Sequence, residues 1–165
     1  RRHQRAPCQG PQAPGRLRPP AARPPVIERL RSRQQFQAVL AGAPVAKTPH
    51  FALHRLPLGA PEAPDALFAH AGPWLGVLLP KRWARRAVTR NTIRRQIYAT
   101  AEPVAGALPA AAHVVRLRSE FSRQRFVSAT SEPLKAAVRA ELLQLWSRAT
   151  VPLAANAARE SSHAA

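Results

Sequence analysis

At 165 residues the chain is long enough for one ordinary domain with a real core and too short to argue for two. It sets 26 Lys and Arg against eight Asp and Glu, a formal charge of +18 that favours a polyanionic partner, with nucleic acid as the first candidate. One cysteine, Cys8, excludes an internal disulfide and fits a reducing compartment; no Cys/His cluster has zinc spacing, and no apolar run approaches the ~18 residues of a membrane span, so a cytoplasmic protein is expected. Only Lys47, Lys81 and Lys135 among the basic residues are not Arg. GC-rich coding can produce that skew, but it does not account for the scarcity of acids.

Residues 1–25 hold seven prolines and six arginines with little apolar content, too little to offset the entropy of ordering, and read as a basic disordered tail. The stretch 150–165 is Ala-rich and unpatterned, and is expected to fray. Between them, 26–149 is the expected folded domain. Ser32 followed by Gln35 reads as a capping box, after which Phe36, Val39 and Leu40 recur at helical spacing until Gly42. A short strand is possible near Val45, and FALHRL at 51–56 alternates, with His54 on the face opposite Phe51 and Leu53. His50 and His54 would lie about 13 Å apart on such a strand, too far to share a metal.

Prolines at 57, 61, 64 and 73 make a long loop, and WLGVLLP at 74–80 is apolar on both faces, as in a central strand. A helix is predicted from about Ala87 to Ala101 with Ile93 and Ile97 facing inward; Arg90 and Arg94 flank that stripe while Asn91 and Arg95 point nearly away. HVVRLR at 113–118 sets Val115 and Leu117 against Arg116 and Arg118. Ser131 then caps a helix with Pro133 in its first turn and Leu134, Val138, Leu142, Leu145 and Trp146 on one stripe. The order gives an α+β domain, with three helices packed on a small, mostly antiparallel sheet of about four strands.

The stretch KRWARRAVTRNTIRR, Lys81 to Arg95, carries seven basic side chains and no acid. A guanidinium-bearing strand face at Arg116 and Arg118 must meet water, carboxylates or phosphates, because an unpaired buried guanidinium is costly. Eight acids cannot pair 26 bases. Arg forks match phosphate oxygens, and single strands are held by basic grooves with an apolar or aromatic floor. The alternative for each basic run is a solvated face, and for Phe36, His54, Tyr98 and the tryptophans ordinary packing. No GxSxG, HExxH or Gly-rich phosphate loop is present, and no close carboxylate pair is evident among Glu28, Glu102, Glu120, Glu132 and Glu141, so no catalytic residue is assigned.

RLRSRQQFQAVLAG, HFALHRL, WLGVLLPKRWARRAVTRNTIRRQIYATAE, LPAAAHVVRLR and a last helix ending LLQLWSR follow one another over about residues 26–149. In that order they resemble the bacterial ribonuclease P protein subunit. The most specific part is PKRWARRAVTRNTIRR, similar to the family's basic strand-to-helix segment with its Arg-Asn-Arg pattern. The resemblance implies a ribosomal-protein-like sandwich with a left-handed β-α-β crossover, against the general handedness rule. It also implies an accessory subunit: the RNA subunit, with magnesium held mainly by RNA and substrate, removes the 5′ leader of precursor tRNA.

Carried over residue by residue, the resemblance assigns Lys81, Arg82, Arg85, Arg86, Arg90, Asn91, Arg94 and Arg95 to the catalytic RNA. It assigns Phe36, His54, Arg116 and Arg118 to a leader-binding cleft between the first helix and the sheet. Three positions depart from the family pattern: Thr92 stands for the second Arg of Arg-Asn-Arg, Leu40 for a second aromatic, and Tyr98 for a further Arg. A ribosomal or general RNA-binding protein and a stand-alone nuclease are the competing readings.

Overall fold

The computed structural model describes residues 26–58, 67–70 and 72–150. The tails expected at 1–25 and 150–165 lie outside them apart from Thr150, as does the middle of the loop expected at 57–73. The elements run β1 (Glu28–Arg29), α1 (Arg33–Leu40), β2 (Pro44–Lys47), β3 (Phe51–Pro57), β4 (Trp74–Leu78), α2 (Ala87–Ala101), a 3₁₀ helix (Glu102–Ala107), β5 (Ala111–Leu117) and α3 (Glu132–Ala149).

The expected α+β architecture is present, with one correction: the sheet has five strands and is mixed, in the order β1-β4-β5-β3-β2. β2 pairs β3 and β3 pairs β5 antiparallel, whereas β4 pairs β5 and β1 pairs β4 parallel. The parallel β4–β5 pair follows from the chain between them, which spends α2 and the 3₁₀ helix on a crossover rather than a hairpin. β1 is two residues long, too short for any alternation; its place is set by Glu28 opposite Trp74 and Arg29 opposite Leu75.

Helices cover both faces of the sheet. On one face Ile93 and Ile97 of α2 and Val138, Leu142, Leu145 and Trp146 of α3 join Phe51, Leu53, Leu75, Val115 and Leu117 in the main core. Each fully buried Leu or Ile there contributes about 1.5–3 kcal/mol relative to exposure. Trp146 Nε1 donates to Thr100 Oγ1 at 3.0 Å and Arg139 Nε to Gln96 Oε1 at 2.6 Å, which fixes α3 on α2. Glu141 of α3 accepts from His50 backbone N at 3.0 Å and contacts its Nδ1 at 2.5 Å, so the β2–β3 turn is clamped to the same helix.

On the other face α1 lies over a smaller cluster of Leu30, Val39, Phe68, Trp74, Ala112 and Val114. The capping box forms as the sequence implies, with Ser32 Oγ accepting from Gln35 N at 3.1 Å and Gln35 Oε1 accepting from Ser32 N at 3.1 Å. At eight residues α1 is too short to persist without packing, so this cluster is what holds it.

Candidate nucleic-acid interface

Two basic surfaces emerge, one on each side of the sheet. The first is built on α2. Pro80 carbonyl accepts from Trp83 N and Ala84 N at 3.0 and 3.2 Å, forming a turn that delivers the chain from β4 into α2 with Lys81, Arg82, Arg85 and Arg86 exposed. Thr92, Ile93, Gln96, Ile97 and Ala101 are buried, which leaves Asn91, Arg94 and Arg95 facing solvent. Among the described residues the ion pairs are His50–Glu141, Arg123–Glu120 and Lys135–Glu132, so no carboxylate there pairs with a base of the 81–95 segment.

Arg90 differs from its neighbours. It is half-buried, and its Nη1 donates to the Ala84 carbonyl at 2.9 Å and the Arg85 carbonyl at 2.7 Å. The N-cap of α2 is Arg86, whose side chain makes no capping bond. Arg90 thus reaches back from the first turn and fixes the loop that presents Arg85 and Arg86. The wheel placed it beside the apolar stripe; the tertiary turn at 80–86 supplies the acceptors the wheel could not show.

Two of the three departures from the pattern of the resemblance have local explanations. Thr92 is buried, a position where an unpaired guanidinium would be costly. Tyr98 lies under the Arg29 guanidinium, 4.2 Å from the ring centroid. Burial pushes the Tyr98 phenol up, against the opposing charges of Arg29 and Arg94.

The second surface is the α1 side of the sheet, where strand register sorts the candidates into rows. Gly76, Val114 and His54 lie side by side in one row, and Leu78, Arg116 and Ala52 in the next. Lys47, opposite Ala52 on β2, extends the second row. Phe36 of α1 sits over Gly76, so the aromatic and Arg116 are one row apart on the same face. Arg116 is half-buried and its Nε has no hydrogen-bond partner among the described residues, while Arg118, just past the strand, is exposed. This assembles an apolar floor with a cationic end.

His54 is on the expected face but is buried, with Nδ1 3.1 Å from the Gly42 carbonyl. Since a carbonyl only accepts, Nδ1 carries the proton. His54 fastens the segment after α1 to the sheet, and its neighbours Phe36 and Arg116 are the more open residues of this face. Lys47 was not singled out in the sequence, because a four-residue strand gives no firm alternation; a bulge between Pro44 and Ala46 shifts its register.

On the core side of β3, Arg55 is buried and donates through Nη2 to the carbonyl of Ala149 at the end of α3. Partial negative charge at that helix end takes the place of a carboxylate. The neighbouring His113, opposite Arg55 in register, is fully buried. Burial, and after it the Arg55 charge, pushes its imidazole down to about 4. Neither group lies on the basic surfaces. Among the described residues no group of three or more His, Cys, Asp or Glu could hold a metal ion, and no helix is long and apolar enough to cross a membrane.

Fold and surface together define a small basic α+β protein with a cationic helix on one side of its sheet and, on the other, an aromatic ring one row from a basic strand position. The Ribonuclease P family model matches residues 25–149, and the chain belongs to that family. It is 33% identical over 134 residues to the ribonuclease P protein component of Ralstonia pickettii, covering 79% of this chain and 85% of that one. Against the ribonuclease P protein component of Bordetella parapertussis it is 36% identical over 123 residues, 74% of this chain and 92% of that one. The solved structure of the Staphylococcus aureus RNase P protein matches with a TM-score of 0.52 at 16% identity, over 73% of this chain and 95% of that one, a likeness of fold.

Proposed function

We propose that this chain is the protein subunit of a ribonuclease P holoenzyme, binding the catalytic RNA through the α2 side and the 5′ leader of precursor tRNA through the α1 side. The observation that carries the reading is the separation of the two basic surfaces: Asn91, Arg94 and Arg95 project from a helix on one face of the sheet, while Phe36 and Arg116 share the other, with Arg118 exposed one residue past β5. Exposed guanidiniums at Arg94 and Arg95, with no carboxylate partner among the described residues, suit the phosphates of a folded RNA. A floor of Phe36 and Leu78 ending in arginines suits an extended single strand, by stacking and charge.

In this reading hydrolysis of the phosphodiester belongs to the RNA, whose magnesium would activate water and stabilise the leaving oxygen. The protein orients the leader and adds counter-charge. Lys81, Arg82, Arg85 and Arg86 extend the RNA surface, Arg90 braces it, and His54 braces the cleft. Incubating the purified protein with precursor tRNA, with and without the cognate catalytic RNA, tests the assignment. Cleavage that requires the RNA and is stimulated by the protein is expected; cleavage by the protein alone would contradict it.

A further inference from the structure

A groove of about 260 Å³ opens between the 81–89 segment and the connection from β5 to α3. Its apolar wall is made by Trp83, Phe121, Phe126 and Val127, over a floor of Ile93 and Leu134. Phe121 is already covered on one side by His50, stacked at 3.9 Å, and meets Phe126 edge-on at 5.9 Å. Phe126 is only half-buried, and Val127 is 83% exposed, unusual for an apolar side chain at the mouth of a groove. The rim is cationic, with Arg85, Arg86 and Arg123 exposed. The one acid lining the groove, Glu120, is 3.4 Å from Arg123 in an ion pair.

The three tryptophans differ in how their indole N–H is satisfied. Trp74 donates to the His70 carbonyl and Trp146 to Thr100 Oγ1, each at 3.0 Å. Trp83 Nε1 is buried and has no acceptor among the described residues. A buried donor without a partner is unfavourable.

An aromatic wall under a rim of three guanidiniums matches the chemistry of a nucleotide. A free phosphate would leave the wall unused, and a purely apolar ligand would leave the rim unused. The volume is below the roughly 300–1,000 Å³ of sites that enclose drug-sized ligands, so it suits one base rather than a run of chain. We propose that the groove takes a single unpaired nucleotide of the RNA partner, its base against Trp83 and Phe126 and its phosphate at Arg85, Arg86 and Arg123. This rests on the reading that the 81–95 side faces RNA, and adds to it a site for an extruded base where that reading has only phosphate contacts.

The test uses the three indole N–H signals of the ¹⁵N-labelled full chain, assigned by single Trp→Phe variants, titrated with adenosine 5′-monophosphate and separately with inorganic phosphate. Trp74 reports on the α1 side of the sheet, Trp146 on the α2–α3 core and Trp83 on the groove. A saturable shift of Trp83 with the nucleotide, and a much weaker one with phosphate, is expected. Phe126→Leu, which keeps apolar volume but removes the π face, should weaken the response about tenfold, and the exposed Arg123→Gln should weaken it without any effect on melting temperature. No movement of Trp83, an equal response to phosphate, or a response confined to Trp74 each overturns the proposal. RNA-dependent cleavage by the unmodified protein, measured alongside, shows whether only the groove has failed or the functional reading as well.

Discussion

Phe36 occupies the space that a β-carbon on residue 76 would need. A Cβ built on Gly76 would stand 2.6 Å from Phe36 Cε1 and 2.7 Å from Leu30 Cδ1, closer than side chains approach one another. The missing side chain in β4 is what lets α1 settle onto the sheet and bring its aromatic down beside the Arg116 row. Gly76→Ala should therefore push α1 outward, at a cost of about 1–3 kcal/mol for overpacking. Urea unfolding measures the cost, and precursor binding should weaken in parallel. An unchanged unfolding midpoint would mean that the ring has room to move aside.

Arg90 and Arg95 are five residues apart on one helix and should behave differently. Arg90→Ala removes two charge-assisted bonds to the carbonyls of Ala84 and Arg85, and should cost about 1–3 kcal/mol of stability. Arg95→Ala, at an exposed position, should change stability by less than about 0.5 kcal/mol. Thermal melting of the two variants separates bracing from contact. Equal melting temperatures would show that the Arg90 bonds contribute nothing.

Much of this was readable beforehand, and the reasons differ by element. α2 is readable from about Ala87 to Ala101 because Ile93 and Ile97 repeat one turn apart within the basic stretch, and the helix has those bounds. α1 and α3 announced themselves by caps, Ser32 with Gln35 and Ser131 with Pro133, which act within one turn and need no tertiary context. β1 and the parallel pairings were not readable, since two residues carry no period and pairing direction depends on where the crossover lands. The face of Arg116 followed from alternation alone. The inward turn of Arg90, the carbonyl held by His54, the place of Lys47 and the groove at Trp83 all depend on segments that meet only in the fold.

His113 gives the protein an acid-sensitive core. Its imidazole is held down at about 4, by burial first and the Arg55 charge second, against an ordinary value of 6.5. Between those values the unfolded chain binds the proton and the folded chain does not. Stability from this group is therefore complete above about pH 6.5, falls as pH drops towards about 4, and levels off below that, for a total of about 3 kcal/mol. His113→Leu should flatten that part of the stability profile, and Arg55→Met should narrow the window by letting the imidazole pKa rise. Urea unfolding at intervals from pH 7 to pH 4 checks both. A histidine variant with the same acid sensitivity as the parent would assign the effect elsewhere.

Salt should weigh on the two surfaces differently. Contacts from Arg94 and Arg95 to RNA phosphates should each contribute about 0.7–0.9 to the slope of log K against log salt, so the double alanine variant should lower the slope for catalytic RNA by between one and two. Phe36→Ala should leave that slope unchanged, because stacking releases no counterions. Filter binding across a range of salt concentrations reads both. A shallower slope in the Phe36 variant would tie the cleft to the catalytic RNA.

The most direct test of the two-surface assignment is a pair of titrations on each of two variants: catalytic RNA with the free protein, then precursor tRNA with the assembled holoenzyme. Arg94→Ala/Arg95→Ala should weaken assembly and, once protein concentration restores it, keep the preference for leader-bearing over leaderless tRNA. Phe36→Ala/Arg118→Ala should assemble normally and lose that preference by about 1–3 kcal/mol, the range of one stacking contact. Loss of both affinities in the same proportion by both variants would show a single undifferentiated basic surface and contradict the assignment.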